Sequence, residues 1–186
     1  MAETAFLVMD IQAGILSRMA PPPNYLQHLQ KTITAARAHP STKIIYITVA
    51  FRPGHPEVSS SNRIFSPAAS ANLFVSGAPE TQIAAAIAPV EGDIVVEKKR
   101  VSAFTGSGLD VVLRGLGVKT LVLAGISTSG VVLATVVEAF DLDFGITVLK
   151  DLCLDEAPVH EVLMEHVFKK RAEVMMADEW LEKLKV

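Results

Sequence analysis

Apolar residues recur along the chain at two alternating spacings. Short runs rich in Val, Ile and Leu predict strands over residues 4–12, 43–51, 93–99, 119–125 and 145–151. Between these runs, apolar residues return every three or four positions. That spacing predicts helices over residues 24–39, 79–88, 108–117, 129–143 and 157–172. The elements therefore alternate between strand and helix, with no internal repeat and no low-complexity linker.

Most of these strands are apolar on both faces, as expected of strands buried between two helix layers. We therefore predict one α/β domain over residues 1–186, a three-layer α/β/α, Rossmann-like architecture with a central, mostly parallel sheet. Such folds bind ligands where the strands end. That rule selects residues 10–12, 98–104 and 125–131, together with the start of the long loop 52–78. A loop of that length is typical of lids, binding loops or subunit contacts.

Composition narrows the classes of partner. The chain has 186 residues, 20% of them charged, and a net charge of −3 without a basic block, so we expect no nucleic-acid partner. A single cysteine, Cys153, cannot form an internal disulfide. The first residues resemble a strand rather than a signal peptide, and no apolar run is long enough to span a bilayer. We expect a soluble cytoplasmic protein with no membrane partner.

Two charged residues end predicted strands. Asp10 follows the first strand, and Lys98 closes the third. Taken alone, Asp10 is more typical of a cap or a buried acid bonded to backbone amides, and Lys98 of a surface lysine. If the two side chains meet, each stabilises the charged form of the other, and the pair can transfer protons. Gln12 points to the same side of its strand as Asp10, and Arg100 adds positive charge suited to a carboxylate.

The segment Gly125-Ile126-Ser127-Thr128-Ser129-Gly130 lies between a strand and a helix. Its backbone amides precede the helix, where the helix dipole favours an anion or oxyanion, although its hydroxyls are equally typical of helix caps. The spacing differs from the G-x-S-x-G nucleophile elbow, which disfavours serine catalysis. No histidine pair has a metal-ligand spacing, so we expect no metal and no cofactor. His55 lies on the long loop, and Cys153 is more typical of core filler than of a nucleophile.

Three motifs together resemble one family. "FLVMDIQ" resembles an N-terminal D-x-Q strand, and Lys98 begins a K-x-x-x-S-A-F segment. The block from "VVEKK" through "AGISTSGVVLAT" to "KDLCLD" resembles the family's long central region. On this basis the chain is identified as a member of the isochorismatase-like hydrolases, or cysteine hydrolase superfamily, which includes nicotinamidases and N-carbamoylsarcosine amidases. The resemblance covers nearly the whole chain.

The resemblance implies a set of site residues. Cysteine-using members have an Asp, a Lys and a Cys six residues after the glycine of the turn, which correspond to Asp10, Lys98 and Val131. Valine cannot attack a carbonyl, and Cys153 matches a different family position. The family turn usually contains a cis peptide bond, which would lie at Ile126–Ser127 and direct the amides of Ser127 and Val131 into the pocket.

Two functions follow as hypotheses. The first is a hydrolase of a small, anionic metabolite that uses Asp10 and Lys98 without a covalent nucleophile, as isochorismatases do in vinyl ether cleavage. Those enzymes usually have glycine where Val131 stands. The second is a binding or assembly protein that kept the pocket and lost the reaction; an amidase using Cys153 or Ser129 is a weaker third. Family members are commonly homo-oligomers, so we expect a dimer or tetramer. The expected substrate-binding residues are Gln12, Arg52, His55, Arg100, Phe104 and Thr128.

Overall fold

The sheet of this protein contains six strands, all parallel. The computed structural model describes residues 3–185. The strands are β1 Thr4–Met9, β2 Thr42–Val49, β3 Ile94–Lys98, β4 Thr120–Ile126, β5 Gly145–Leu154 and β6 Glu173–Met175. Their order across the sheet is β3-β2-β1-β4-β5-β6, with parallel pairing at every step. The predicted α/β class with a central parallel sheet is confirmed.

The strand order reverses at β1, which lies between β2 and β4. In open parallel sheets, the crevice outside the strand ends at such a reversal is where ligands bind. At this place the two backbones come very close. Met9 is paired with Gly125, and a Cβ built on Gly125 would lie 2.8 Å from the Met9 carbonyl oxygen. Only glycine fits here, so the family-like glycine of the turn has a packing reason.

Helices cover both faces of the sheet. They are α1 Ala13–Leu16, α2 Tyr25–Arg37, α3 Ser66–Ser70, α4 Leu109–Leu116, α5 Leu133–Asp141, α6 Ala157–Val162 and α7 Ala177–Lys183. One core layer packs α4 and α5 on the sheet, with Leu113 and Val136 fully buried. The other packs α2 and α7, with Leu29 and Trp180 buried. Within residues 3–185, no helix has the length and apolar composition needed to cross a membrane.

Three predicted helices differ from the structure. Residues 79–88 form two single 3-10 turns, because the backbone between them bonds the end of β1 instead of its own helix: Ala84 donates to the Ile11 carbonyl, and Ile83 bridges to Gln12. Residues 129–143 begin with a π-helical turn before α5, and residues 157–172 divide into α6, a π-helical turn and a 3-10 turn. Strand β6 and helix α7 were not predicted from the sequence.

The long loop 52–78 folds over the ends of the strands. Phe51 donates its amide to the Phe74 carbonyl, and Ser76 donates to the Phe51 carbonyl, so the loop closes on itself next to β2. Val49, Phe51 and Phe74 form a third apolar cluster, against which Phe65 packs. The loop therefore supplies an apolar wall at the carboxyl edge of the sheet.

Candidate active site

Asp10 and Lys98 form a buried ion pair at the carboxyl edge of the sheet. Lys98 Nζ lies 2.9 Å from Asp10 Oδ2, with 1% and 8% of the two side chains exposed. Lys98 is the last residue of β3, and Asp10 follows β1, so the lysine reaches past the end of β2, which lies between them. The ammonium also donates to the Arg100 carbonyl at 2.9 Å. Both predicted acid–base residues are thus brought together.

The backbone and surroundings of Asp10 tune its carboxyl group. Asp10 has a φ of 60°, a left-handed conformation that aspartate tolerates better than most residues, and its amide donates to the Ile47 carbonyl. Burial raises the pKa of the carboxyl above its ordinary value of 3.8, while the charge and hydrogen bond of Lys98 oppose that rise only in part. Oδ1 is buried without a hydrogen-bond partner. A carboxyl oxygen left open in this way can meet a ligand.

The pair faces a cavity of about 500 Å³, a volume within the range of small-molecule sites. Most of its lining is apolar, which keeps the dielectric low and strengthens charge interactions inside it. The lining residues are Asp10, Ile15, Arg18, Met19, Val49, Phe51, Ile64, Phe65, Ala68, Phe74, Lys98, Val101, Ile126, Ser127, Ser129, Gly130 and Val131.

The turn after β4 forms the side of the cavity opposite the long loop. The Ile126–Ser127 peptide bond is cis. Gly130 has a backbone conformation (φ −98°, ψ −107°) outside the helical region, and a Cβ on it would lie 2.8 Å from Ser127 Oγ. Val131, which is 2% exposed, follows; it belongs to the core cluster and also lines the cavity. Ile126, Ser127 and Val131 therefore all line the site.

Side chains behind the turn hold it in place. Thr128 is fully buried, and its Oγ1 lies 2.9 Å from His160 Nδ1, so it does not face the cavity. Asp155 accepts the Ser129 amide at 2.7 Å. Burial alone would raise the pKa of Asp155, but the hydrogen bonds from Ser129 outweigh it and lower the pKa. The imidazole of His160 is directed at Thr128 rather than at Ser129, which gives Ser129 no histidine base.

Gln12 bridges backbone groups and does not line the cavity. It is fully buried. Its Nε2 donates to the carbonyls of Val49 at 3.0 Å and Thr81 at 2.8 Å, and its Oε1 accepts the Val49 amide at 2.8 Å. Because both ends of the amide are used, Gln12 joins the ends of β1 and β2 to the turn at residue 81. We expected Gln12 to contact the substrate, but the structure places it outside the cavity lining.

Four more expected contacts lie outside the cavity lining. Arg52 is exposed and pairs with Glu57 at 2.9 Å, and Arg100 donates to the Glu57 carbonyl at 2.9 Å. His55 is buried, with its Nε2 2.7 Å from the Leu73 carbonyl oxygen. Phe104 belongs to the core beneath α4 and α5. The sequence correctly suggested that these residues lie near the carboxyl edge of the sheet, but their side chains contact other protein groups.

One cavity wall was not predicted from the sequence, and for a second, on the long loop, the individual residues were not identified. Ile15, Arg18 and Met19 come from α1 and the turn after it, and Ile64 and Phe65 come from the long loop. A signal was present for the first wall, since the spacing of 15, 18 and 19 puts those side chains on one side of a helical turn. The second wall carries no periodicity that would identify it.

Cys153 is not part of the cavity. It is buried beside Gly125 in the pairing of β4 with β5, and its Sγ lies 3.8 Å from the Leu123 carbonyl oxygen. Burial raises the pKa of the thiol to about 12. A thiol that remains protonated and lies away from the cavity cannot act as its nucleophile.

Comparison with known proteins identifies the family to which this site belongs. The model of the isochorismatase domain matches residues 4–179. The chain belongs to the isochorismatase family. Its curated relatives include ureidoacrylate amidohydrolase RutB from Acinetobacter baylyi, 29% identical over 84% of this chain and 73% of the relative. The RutB protein from Azorhizobium caulinodans is 30% identical over 84% of this chain and 78% of the relative. These relatives are hydrolases, so we describe the chain as an isochorismatase-family hydrolase.

Solved structures of isochorismatase-family proteins have the same fold. A cysteine hydrolase from Pseudomonas syringae superposes with a TM-score of 0.87 at 20% identity, covering 98% of this chain and 92% of the other. An isochorismatase family protein from Burkholderia thailandensis gives 0.86 at 24% identity, covering 99% and 96%. N-carbamoylsarcosine amidase from Thermoplasma acidophilum gives 0.76 at 24% identity, covering 95% and 97%. At these identities the likeness establishes the fold.

Proposed function

We propose that this protein hydrolyses a small metabolite with Asp10 as general acid and base, and without a covalent enzyme intermediate. One observation carries the proposal: Asp10 and Lys98 pair at 2.9 Å on the floor of an apolar cavity, and Oδ1 of the carboxyl is left without a partner. An ion pair placed for stability alone gains little when it is buried, because desolvation offsets the attraction. A pair that must move a proton needs this placement.

Asp10 takes part in two proton steps of the reaction. Protonated Asp10 gives its proton to the substrate, which weakens the bond to the leaving group; for a vinyl ether, the proton adds to carbon and an oxocarbenium ion forms. Water then adds to the cation and gives one proton to the Asp10 carboxylate, which leaves a hemiketal or hemiacetal. This adduct collapses: its hydroxyl proton passes to the leaving-group oxygen, the C–O bond to the leaving alcohol breaks, and a carbonyl product remains. One water is consumed, and Asp10 ends as it began. Lys98 stabilises the carboxylate between the two steps, and the raised pKa of Asp10 increases its protonated fraction.

Val131 favours a non-covalent route over the amidase route. The family resemblance places Val131 where cysteine-using members have their nucleophile, and Val131, which lines the cavity, has no nucleophilic atom in its side chain. Amide hydrolysis by a thiol would need a Cys at this place, and Cys153 is buried outside the cavity. The activities named for the RutB relatives therefore come to this chain only as candidates, to be tested against acid-labile C–O substrates.

The decisive variant is Asp10→Asn. A screen of small esters, amides and vinyl ethers should find a substrate for the wild-type protein, and Asp10→Asn should reduce its turnover by at least about 100-fold, the contribution typical of general acid–base catalysis. Asp178→Asn, on the exposed face of α7, is the matched control and should retain full activity. Full turnover by a folded Asp10→Asn protein would contradict the mechanism. Circular dichroism and the melting temperature establish that the variant is folded.

The pH profile gives a second readout. If protonated Asp10 starts the reaction, kcat/KM falls as pH rises through the pKa of Asp10, which lies above 3.8. A rate that instead rises through that value would assign Asp10 the role of base in the first step. The direction of the change separates the two roles without any further variant.

A binding protein is the second candidate, and Val131 is the observation that favours it. A cavity of this size can retain a ligand after its nucleophile is lost. The Val131→Cys variant discriminates, because it restores the sulfur without altering Asp10 or Lys98. If neither the wild type nor Val131→Cys turns over any substrate of the screen while a metabolite binds, the binding function gains support. If only the cysteine variant hydrolyses amides, the natural protein is not a cysteine-type amidase.

We also propose that the protein forms a dimer or tetramer. Helix α5 and its end expose Val137, Phe140 and Leu142, by 39%, 46% and 38% of their surface. These exposed apolar side chains support self-association. Sedimentation velocity at micromolar concentration should give a mass at least twice that of the 20.0 kDa chain. A monomer at all concentrations would contradict the proposal.

A further inference from the structure

The charges that line the cavity do not cancel. Within residues 3–185, the ionised side chains of the lining are Asp10, Lys98 and Arg18. Asp10 and Lys98 neutralise each other at 2.9 Å. Arg18 has no carboxylate within ion-pair distance among those residues, although Glu80 lies on the turn against which α1 packs. The cavity lining is therefore net positive whether Asp10 is ionised or protonated.

Arg18 is positioned rather than free in solvent. It follows α1, which starts directly after Gln12, and its amide donates to the Ile15 carbonyl. Its guanidinium carbon lies 5.6 Å from the centre of the Phe74 ring, within the distance at which a cation and an aromatic face attract each other. This contact holds the guanidinium beside the ring, and its planar set of N–H groups can bind a carboxylate in a bidentate manner.

The ring beneath Arg18 is itself held in an uncommon conformation. Phe74 has a φ of 59°, which is rare for a bulky residue and persists only where neighbouring contacts fix it. Glu80 Oε1 accepts the Phe74 amide at 3.1 Å, and the Phe74 carbonyl accepts the Phe51 amide at 2.8 Å. Gly14 of α1 packs on Glu80, where a Cβ would lie 2.7 Å from Glu80 Cβ. One set of contacts therefore fixes the ring and the helix α1 that Arg18 follows.

The rest of the wall is suited to an apolar body. Phe51 before the long loop, and Phe65 and Phe74 within it, line the cavity together with Ile15 of α1 and Met19 of the following turn. Asp10 is buried at the inner end, whereas Arg18 is exposed at the side that meets solvent. A ligand that fills this space has one end at the carboxyl of Asp10, an apolar middle against the aromatic wall and one end at the guanidinium of Arg18.

We propose that Arg18 is the anion-binding residue of the cavity and that its ligands are apolar acids, in which an aryl or alkyl body carries a carboxylate. This inference rests on the proposed function only in taking the cavity as the substrate site. It assigns to Arg18 the role that the sequence suggested for Arg52 and Arg100, whose guanidinium groups are engaged with Glu57 and which do not line the cavity.

Binding of matched acids and amides tests the proposal. The probes are 3-phenylpropanoate and hexanoate, each paired with its neutral primary amide, and the measurement is isothermal titration calorimetry at pH 7.5. The wild-type protein should bind each acid at least about tenfold more tightly than its amide, because a charge-assisted pair with arginine is absent from the amide complex. Arg18→Met should remove that preference while leaving the amide affinity nearly unchanged. Arg18→Lys should retain part of it, since the charge remains and the bidentate geometry is lost.

Arg171→Met is the matched control. Arg171 also lies over a phenylalanine ring, 5.9 Å from the centre of Phe140, but it is remote from the cavity lining. It should leave the preference for acids intact. Equal affinity for acid and amide in the wild type, no binding of either acid at millimolar concentration, or an acid preference that survives Arg18→Met would each overturn the proposal.

The two proposals fail separately. If Asp10→Asn retains full turnover but acid binding depends on Arg18, the mechanism is wrong and the anion site stands. If Asp10→Asn abolishes turnover and the acid preference survives Arg18→Met, the mechanism stands and the anion site is wrong.

Discussion

Replacing Gln12 with methionine should destabilise the protein severely while removing no charge and little volume. The Gln12 side chain makes three hydrogen bonds, all to backbone groups of Val49 and Thr81. Methionine has a similar length and cannot make any of them. The variant therefore isolates the contribution of the polar bridge from that of packing.

The magnitude follows from the groups left behind. Val49 and Thr81 are both buried, so their backbone groups lose partners that water replaces only in part. Each unpaired buried group costs about 1–3 kcal/mol, and three groups near the lower end give about 3 to 5 kcal/mol. For a chain of this size, about 1 kcal/mol shifts the melting temperature by about 2–4 °C, so we expect a decrease of about 6 to 20 °C.

Differential scanning calorimetry and urea unfolding measure the effect. Gln82→Met is the matched control, because Gln82 is exposed and has a single long contact of 3.4 Å to the Ala78 carbonyl. It should change stability by less than about 0.5 kcal/mol. Gln12→Glu should be destabilising at neutral pH, because its carboxylate would face two carbonyl oxygens, and it should recover in part as acid protonates it. A Gln12→Met protein that melts within about 2 °C of the wild type would refute the reasoning.

Three further predictions concern other buried positions. Cys153→Ala should become more stable relative to the wild type as pH rises. Burial raises the pKa of the thiol from 9.0 to about 12, so the wild type should lose about 1.4 kcal/mol of unfolding free energy between pH 7 and pH 10, and the variant should not. Urea unfolding measures this, and a difference between the two proteins that does not change with pH would be contrary evidence. Gly125→Ala should lower the free energy of unfolding by about 1–3 kcal/mol, because its Cβ would lie 2.8 Å from a backbone oxygen of β1. Gly115→Ala in α4 is the control: its Cβ meets no atom within 4 Å and should stabilise the protein by up to about 1 kcal/mol. Equal effects of the two variants on the melting temperature would show that the close approach at Gly125 is not the cause. Lys98→Met should destabilise the folded state by about 3–5 kcal/mol by leaving Asp10 buried and unpaired, and adding Asp10→Asn should recover a large part of that loss in the same unfolding assay. No recovery in the double variant would show that the pair is not the source of the loss.

The sequence predicted the elements that have a clear apolar pattern. The apolar runs that become β1, β2, β4 and most of β5 were placed within a few residues. A strand buried on both faces has a continuous apolar sequence, which is easily recognised. Strand β6 has three residues and is only partly buried, which is too short for a period to appear. The predicted helix over 79–88 was wrong because long-range bonds to Ile11 and Gln12 determine its backbone.

Some site residues could likewise be predicted from the sequence, and others could not. Asp10 and Lys98 could be predicted to approach each other, because the ends of parallel strands share one edge of the sheet. Arg100 and Arg52 could not be separated from Arg18 by the same rule, because all three are arginines near that edge. What distinguishes them is the position of Glu57, which engages the first two and not the third. That depends on how the loop closes, and no local pattern encodes it.

The placement of the ion pair also bears on the order in which the chain folds. Asp10 precedes its partner along the chain: Lys98 is the last residue of β3, and β2 lies between β1 and β3 in the sheet. Pairing of distant parallel strands is slow because loop closure comes before any contact is gained. During synthesis, therefore, the carboxyl of Asp10 has no access to Lys98 until β3 has emerged. Quenching or labelling that reports on this pair would follow a late step of sheet assembly, after local helices such as α2 have formed.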